Sequence, residues 1–143
     1  MMRARRIAVW APVLVALGAL AWSGFAPIRV ASREKLFEIP KGTYARRMSG
    51  DPVDILPERI RLTLGLEDVL LLRNLDDVPQ VFGPTIMMPG QSFRLPFERA
   101  ASYQFACTAH ASGQMTIDVE KQPEMPWQKV RWRLRAWWEK GSS

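Results

Sequence analysis

The 143-residue sequence predicts an all-β sandwich with one helix before it and one after it. From Ser32 onward, short runs of β-forming residues alternate with Gly, Pro and Asp punctuation, which is typical of a sandwich built from short strands. A run of 22 uncharged residues, 7–28, precedes this region. A breaker-free, basic and tryptophan-rich segment follows Pro126. We therefore divide the chain into a basic N-terminus (1–6), an apolar helix (7–28), a sandwich (32–120) and a tail (121–143).

The N-terminal run is long enough for a transmembrane helix. At about 1.5 Å per residue, 22 residues measure roughly 33 Å, against a hydrocarbon core of about 30 Å. Arg3, Arg5 and Arg6 predict a cytoplasmic N-terminus and hence an extracytoplasmic, periplasmic or extracellular, domain on a single-pass protein of the cell membrane. A cleaved signal peptide is the alternative; we favour a retained anchor because apolar residues continue to Ile28.

The body of the chain predicts seven strands, separated by turn residues. They span residues 35–39, 60–64, 69–73, 78–82, 92–97, 102–107 and 114–119. The segment 41–57 contains Gly42, Gly50 and Pro52, and we interpret it as a long excursion with room for one helical turn.

The tail predicts a basic amphipathic helix of about thirteen residues from Trp127 to Lys140. Its apolar residues fall within about 100° of the helix circumference, with Trp132 outside this arc. Such a helix suits a membrane lipid surface, with docking on the domain or on a larger membrane complex as the alternative. The residues predicted to make these contacts are Trp127, Trp132, Trp137, Trp138, Arg131 and Arg135.

The charge distribution argues against a nucleic-acid partner. Residues 27–120 contain eleven basic and twelve acidic residues, so the net charge of +6 comes from the two ends. A domain that binds nucleic acid would cluster Lys and Arg within the fold.

A single Cys and a single His limit the chemistry that is available. They exclude an intramolecular disulfide, a zinc finger and a standard iron–sulfur cluster. No metal-hydrolase, nucleophile–base or phosphate-loop arrangement is present, so the sequence predicts no enzymatic activity. An unpaired thiol in an exported protein is usually buried or bound to a metal.

Both residues lie in one loop between two predicted strands, together with a methionine. Cys107, His110 and Met115 have the spacing C-x2-H-x4-M. Two soft sulfur donors and an imidazole suit copper, and the sulfur ligands favour Cu(I). The segments Tyr103-x-Phe105-x-Cys107 and Met115 to Val119 resemble the ligand loop and last strand of the cupredoxin family. The resemblance implies a Greek-key copper sandwich and covers 57–120.

The resemblance departs from the family pattern at one ligand. Leu70 to Asn74 and the turn Pro89-Gly90-Gln91 are similar to family segments, yet Gln80 occupies the position of the family's first histidine. Three outcomes are open: Gln80 binds weakly through its amide oxygen, Met87 or Met88 supplies a thioether, or the fold binds no metal. The candidate metal site therefore comprises Cys107, His110, Met115 and Gln80.

Two functions follow from these observations. The first is a membrane-tethered copper protein that acts in electron transfer or copper handling, with copper as its cofactor and a redox protein as its partner. The second is a metal-free subunit that uses the same fold as a scaffold in a membrane complex.

Overall fold

The computed structural model describes residues 2–51 and 56–141, and the side chains of 12–51, 56–139 and 141. The chain divides into two compact units. The sandwich unit is Val30–Gln122, and the helical unit consists of the segments before and after it. The elements are α1 (Met2–Phe25), β1 (Glu34–Ile39), α2 (Thr43–Met48), β2 (Arg59–Thr63), β3 (Val69–Asn74), β4 (Gln80–Phe82), β5 (Thr85–Met87), β6 (Ser92–Pro96), β7 (Ser102–Ala106), β8 (Gln114–Glu120) and α3 (Pro126–Gly141).

The sandwich unit contains two three-stranded sheets and a short hairpin. In the first sheet β3 lies between β1, which is parallel to it, and β6, which is antiparallel. In the second sheet β8 lies between β2, which is parallel to it, and β7, which is antiparallel. The strands β4 and β5 pair with each other. The mostly-β fold predicted from the sequence is confirmed.

One core lies between the two sheets. Alternate residues of β8, Met115, Ile117 and Val119, are at most 4% exposed, as expected where every second side chain of a strand faces inward. Leu70 and Leu72 of the other sheet belong to the same buried cluster. Burying each such side chain stabilises the fold by roughly 1.5–3 kcal/mol.

Two elements of the sandwich unit differ from the sequence prediction. The predicted strand 78–82 begins only at Gln80, and it turns at once into β5, which was not predicted. The turn between them is Gly83-Pro84, and Gly83 has a φ of 54°, a conformation that glycine adopts without a steric penalty. The excursion 41–57 contains α2, which is one short helix.

The N-terminal helix α1 begins at Met2 and ends at Phe25, whereas the predicted helix spans residues 7–28. The amide of Ala26 still donates to the carbonyl of Trp22 at 2.8 Å, but Ala26 precedes Pro27, and a residue before proline disfavours helical geometry. Within the described residues, no helix combines the length and the apolar character needed to cross a membrane. The predicted transmembrane span is therefore not confirmed.

Candidate metal centre

The four predicted ligands lie in two segments that the structure brings together. Cys107 and His110 belong to the loop between β7 and β8, Met115 lies near the start of β8, and Gln80 begins β4. Each is at most 1% exposed. The loop and β4 are joined by backbone hydrogen bonds, from Thr108 to the Val81 carbonyl at 3.0 Å and from Gly83 to the Ala106 carbonyl at 2.8 Å.

Hydrogen bonds within the loop fix its shape. The Cys107 amide donates to the Gly113 carbonyl at 2.9 Å, and the Gly113 amide donates to the His110 carbonyl at 3.0 Å. Gly113 closes the loop with a φ of 72°, where a side chain would be strained. The loop therefore holds Cys107 and His110 in a defined arrangement.

The thiol of Cys107 is buried in the core. Burial raises its pKa, while the backbone N–H groups of Ala109 and His110 and the positive charge of Arg47 act in the opposite direction. The net effect is a raised pKa, so the thiol form is favoured, and metal binding requires loss of this proton because the thiolate is the form that binds metals.

His110 has a defined tautomer. Its Nε2 lies 3.1 Å from the backbone carbonyl oxygen of Leu56, which can only accept, so Nε2 carries the proton. In the neutral ring the lone pair is then on Nδ1, which lies 3.2 Å from the hydroxyl oxygen of Ser112. A metal-binding histidine typically donates its other N–H to a backbone carbonyl or carboxylate in this way.

The hydroxyl of Ser112 has two acceptors within reach. Its Oγ lies 3.2 Å from His110 Nδ1 and 3.0 Å from the carbonyl oxygen of Gln114. One hydroxyl proton serves one acceptor at a time. Rotation of this hydroxyl toward Gln114 would break its contact with His110 Nδ1.

Gln80 connects β4 to its neighbours through both ends of its amide. Nε2 donates to Asp76 Oδ2 at 3.0 Å, and Oε1 accepts from Thr108 Oγ1 at 2.7 Å. A carbonyl oxygen has two lone pairs, so one on Oε1 is not used by Thr108.

Asp76 is a buried carboxylate that accepts several hydrogen bonds, and it was not predicted from the sequence. It is 3% exposed, and its carboxylate accepts from the amides of Gly42 at 2.8 Å and Tyr44 at 2.9 Å as well as from Gln80. Burial alone would raise its pKa, but the backbone donors of Tyr44, Gly42 and Asp77, with the Gln80 amide, lower the pKa below its usual value. Asp76 thereby joins the start of α2 to the candidate site.

The methionines near Gln80 are in two different environments. Met87 is 2% exposed and is the strand partner of Gln80 in the β4–β5 hairpin. Met88 is 50% exposed. Of the two thioethers considered as additional ligands, the structure places Met87 in the buried cluster and Met88 at the surface.

The donors present fit a sulfur-rich copper site. Among the residues that the structure describes, no three His, Cys, Asp or Glu side chains form a metal-binding group. The candidate set instead combines one thiol, one imidazole and one thioether, which are donors suited to Cu(I). The tautomer of His110 agrees with this use.

The predicted membrane- or partner-binding residues lie on α3 in the helical unit. Trp127, Trp137 and Trp138 are 61%, 72% and 74% exposed. Arg131 is also exposed, whereas Trp132 and Arg135 are half-buried.

No protein-family model matches the chain, and no curated protein is significantly similar to it in sequence. Among solved structures, the chain is similar to a purple cupredoxin from Nitrosopumilus maritimus, at 18% identity over 59% of this chain and 98% of that one, with a TM-score of 0.43. An oxidized amicyanin mutant matches at 18% identity over 64% and 87% of the two chains, also with a TM-score of 0.43. The amicyanin of Paracoccus versutus matches at 19% over 46% and 71%, with a TM-score of 0.38. These structural neighbours are cupredoxins, and the likeness concerns the fold.

Proposed function

We propose that this protein is a non-enzymatic copper-binding protein that handles Cu(I) and is attached to a membrane by its helical unit. Cys107, His110 and Met115 are the strong ligands in this proposal. The observation that carries it is the 3.1 Å contact between His110 Nε2 and the Leu56 carbonyl oxygen, because a neutral ring that donates from Nε2 has its lone pair on Nδ1. This nitrogen belongs to the same buried loop as the Cys107 thiol.

Metal binding would require two small changes in the loop. The Cys107 thiol would lose its proton, which the amides of Ala109 and His110 and the charge of Arg47 favour and burial opposes. The Ser112 hydroxyl would turn from His110 Nδ1 to the Gln114 carbonyl. When bound, copper would supply a soft one-electron centre.

Copper handling is favoured over electron transfer by the donor set. Blue-copper electron-transfer sites use two imidazoles and a thiolate, whereas this chain has a single His. Two sulfur donors and one imidazole favour the reduced ion. Gln80 is a weak fourth ligand in this proposal, through the second lone pair of Oε1.

The test is an anaerobic Cu(I) titration of the full chain in competition with bathocuproine disulfonate. We expect one Cu(I) per chain. Even residues that only hydrogen-bond to ligands change metal affinity about 10- to 100-fold. We therefore expect Cys107→Ser to weaken binding at least about 100-fold, and Met115→Leu about 10-fold or more. Met125→Leu, at a thioether that is 55% exposed, is the control and should bind as the wild type does. Unchanged affinity in Cys107→Ser would refute the proposal.

A metal-free scaffold is the second candidate, and the hydrogen bonding around Gln80 favours it. Both ends of this amide and both ring nitrogens of His110 already have protein partners. In the described residues, every buried side-chain nitrogen and oxygen is hydrogen-bonded. This candidate predicts no Cu(I) binding, and retention by Cys107→Ser of a larger membrane complex during purification.

Membrane attachment is proposed from the apolar side chains that the helical unit exposes. In α1, Leu17, Leu20, Trp22 and Phe25 are between 56% and 76% exposed. We expect the protein to stay with membranes after carbonate washing. We further propose an extracytoplasmic sandwich unit, so that alkaline phosphatase fused after Ser143 should be active. Release by carbonate would refute the attachment, and an inactive fusion would refute the orientation.

A further inference from the structure

The helix α3 has one apolar side that is mostly exposed. At 100° per residue, one arc of about 100° contains the tryptophan face, defined as Trp127, Val130, Leu134, Trp137 and Trp138. Four of these five side chains are 61–74% exposed, and Val130 is half-buried. Trp132 lies on the opposite side and is half-buried. Most of the tryptophan face is therefore exposed, whereas Trp132 on the other side of the helix is not.

Arg133 joins α3 to the end of α1. Its guanidinium donates to the Ser23 carbonyl, to Ser23 Oγ at 3.1 Å, and to the carbonyls of Ala26 at 2.9 Å and Pro27 at 3.1 Å. The last carbonyls of a helix lack partners within the helix and carry partial negative charge, so a cation there is stabilising. The last turn of α1 has no basic residue of its own, and Arg133 supplies the charge from more than 100 residues away.

A small residue allows the two helices to meet. Gly24 is buried, and a Cβ at this position would lie 3.0 Å from the Cβ of Pro126 and 3.3 Å from its carbonyl oxygen. Pro126 begins α3 and Arg133 lies two turns further on. Contacts at Gly24 and Arg133 therefore fix both the position of α3 on α1 and its rotation about its own axis.

We propose that α3 is an interfacial helix, pinned by Arg133 so that its tryptophan face contacts the surface of an anionic lipid bilayer. The inference rests on the proposed membrane attachment and goes beyond it by assigning the contact surface and its orientation. Charge supports lipid as the occupant, because α3 has five basic residues and one acidic residue. Exposed aromatic side chains at the pinned end of α1 support it as well, since Trp22 and Phe25 are 74% and 76% exposed.

The experiment places a fluorescent NBD label at single cysteines of the full chain in a Cys107→Ser background. Leu134→Cys places the label on the tryptophan face. Glu139→Cys places it on an exposed position about 150° from the middle of that face. Proteins are reconstituted into vesicles of phosphatidylcholine with phosphatidylglycerol, and aqueous dithionite then reduces the accessible label. We expect reduction at position 134 to be at least about tenfold slower than at position 139.

Two further variants test the role of Arg133. With Arg133→Gln, the difference between positions 134 and 139 should fall below about twofold. Lys129→Gln removes the same charge from a half-buried position of the same helix and should keep the difference. Arg133→Lys keeps a cation at the end of α1, so it should keep most of the difference in reduction rate between positions 134 and 139. This variant distinguishes loss of the Arg133 contact from unfolding of α3.

Each outcome of the experiment decides a different point. Equal reduction rates at positions 134 and 139 in protein that floats with vesicles would overturn the inference and leave membrane attachment intact. Protein that does not float would refute membrane attachment itself. Protection of position 134 in detergent without lipid, together with a doubled mass in light scattering, would overturn the inference in favour of a second copy of the chain.

Discussion

At the scale of single residues, Asp76 organises the surroundings of the candidate metal site. Its carboxylate holds the amides of Gly42 and Tyr44, which lie 34 and 32 positions earlier, and the Gln80 side chain. The amide of Asp77 donates to it as well at 2.9 Å, and the negative charge of the buried carboxylate strengthens these hydrogen bonds. The position of Gln80 therefore depends on a residue that is not a candidate ligand.

We expect Asp76→Asn to lower the free energy of unfolding by about 2–4 kcal/mol, because hydrogen bonds to charged groups contribute about 1.5–3 kcal/mol each. Asp77→Asn is the control, since its carboxylate is 67% exposed and pairs with Lys41 only at the surface. We expect little change there. Urea denaturation at pH 7 measures both, and equal effects of the two substitutions would contradict the role assigned to Asp76.

The same carboxylate predicts a dependence of stability on pH. The folded-state pKa of Asp76 is lowered, so its contribution is complete above the unfolded pKa of about 3.9 and is lost as pH falls through the folded value. The stability difference between wild type and Asp76→Asn should therefore be constant above about pH 5 and shrink below about pH 4. A difference that grows on acidification would show that the pKa is raised.

Gln80 allows a direct test of the missing imidazole. Gln80→His should bind Cu(II) with an intense thiolate charge-transfer band, because two imidazoles and a thiolate form a blue-copper set. Gln80→Leu loses the same bonds to Asp76 and Thr108 but adds no donor, so it should show no such band. Identical visible spectra for the two variants would mean that position 80 does not face the metal.

At the scale of elements, Gly24 of α1 is a position that tests the contact with α3, and Gly18 of the same helix is its control. A Cβ at Gly24 would press on Pro126 at 3.0 Å, whereas a Cβ at Gly18 would meet nothing within 4 Å. We expect Gly24→Ala to speed amide hydrogen exchange in α3 severalfold. Gly18→Ala should leave that exchange unchanged, because alanine favours the helix by about 1 kcal/mol and touches nothing. Equal exchange rates in the two variants would argue against a close contact between α1 and α3.

The elements also show how far sequence reasoning extends. Alternating apolar residues predicted β2 and β8 to within a residue or two, because a half-buried strand imposes that pattern. The three residues of β5 carry no usable pattern, and Ile86 at its centre is 62% exposed. The Leu56 carbonyl that fixes the tautomer of His110 lies 54 positions away, so no local motif could reveal it. The candidate ligands of the loop could be predicted because they are close together in sequence, whereas the Leu56 carbonyl could not.

At the scale of the whole molecule, the chain separates its two proposed tasks between two units. The sandwich unit contains the candidate ligands, and the helical unit contains the exposed tryptophans and the basic residues of α3. Substitutions in one unit should consequently leave the task of the other unchanged. Cys107→Ser should remain membrane-bound, and Arg133→Gln should bind Cu(I) as the wild type does.

The most direct test of the copper proposal is X-ray absorption spectroscopy of the full chain loaded with Cu(I). We expect a copper environment containing two sulfur atoms and one imidazole nitrogen, with one sulfur lost in Met115→Leu. Copper surrounded only by oxygen and nitrogen, or a spectrum that Met115→Leu leaves unchanged, would contradict the assignment of Cys107, His110 and Met115 as its ligands.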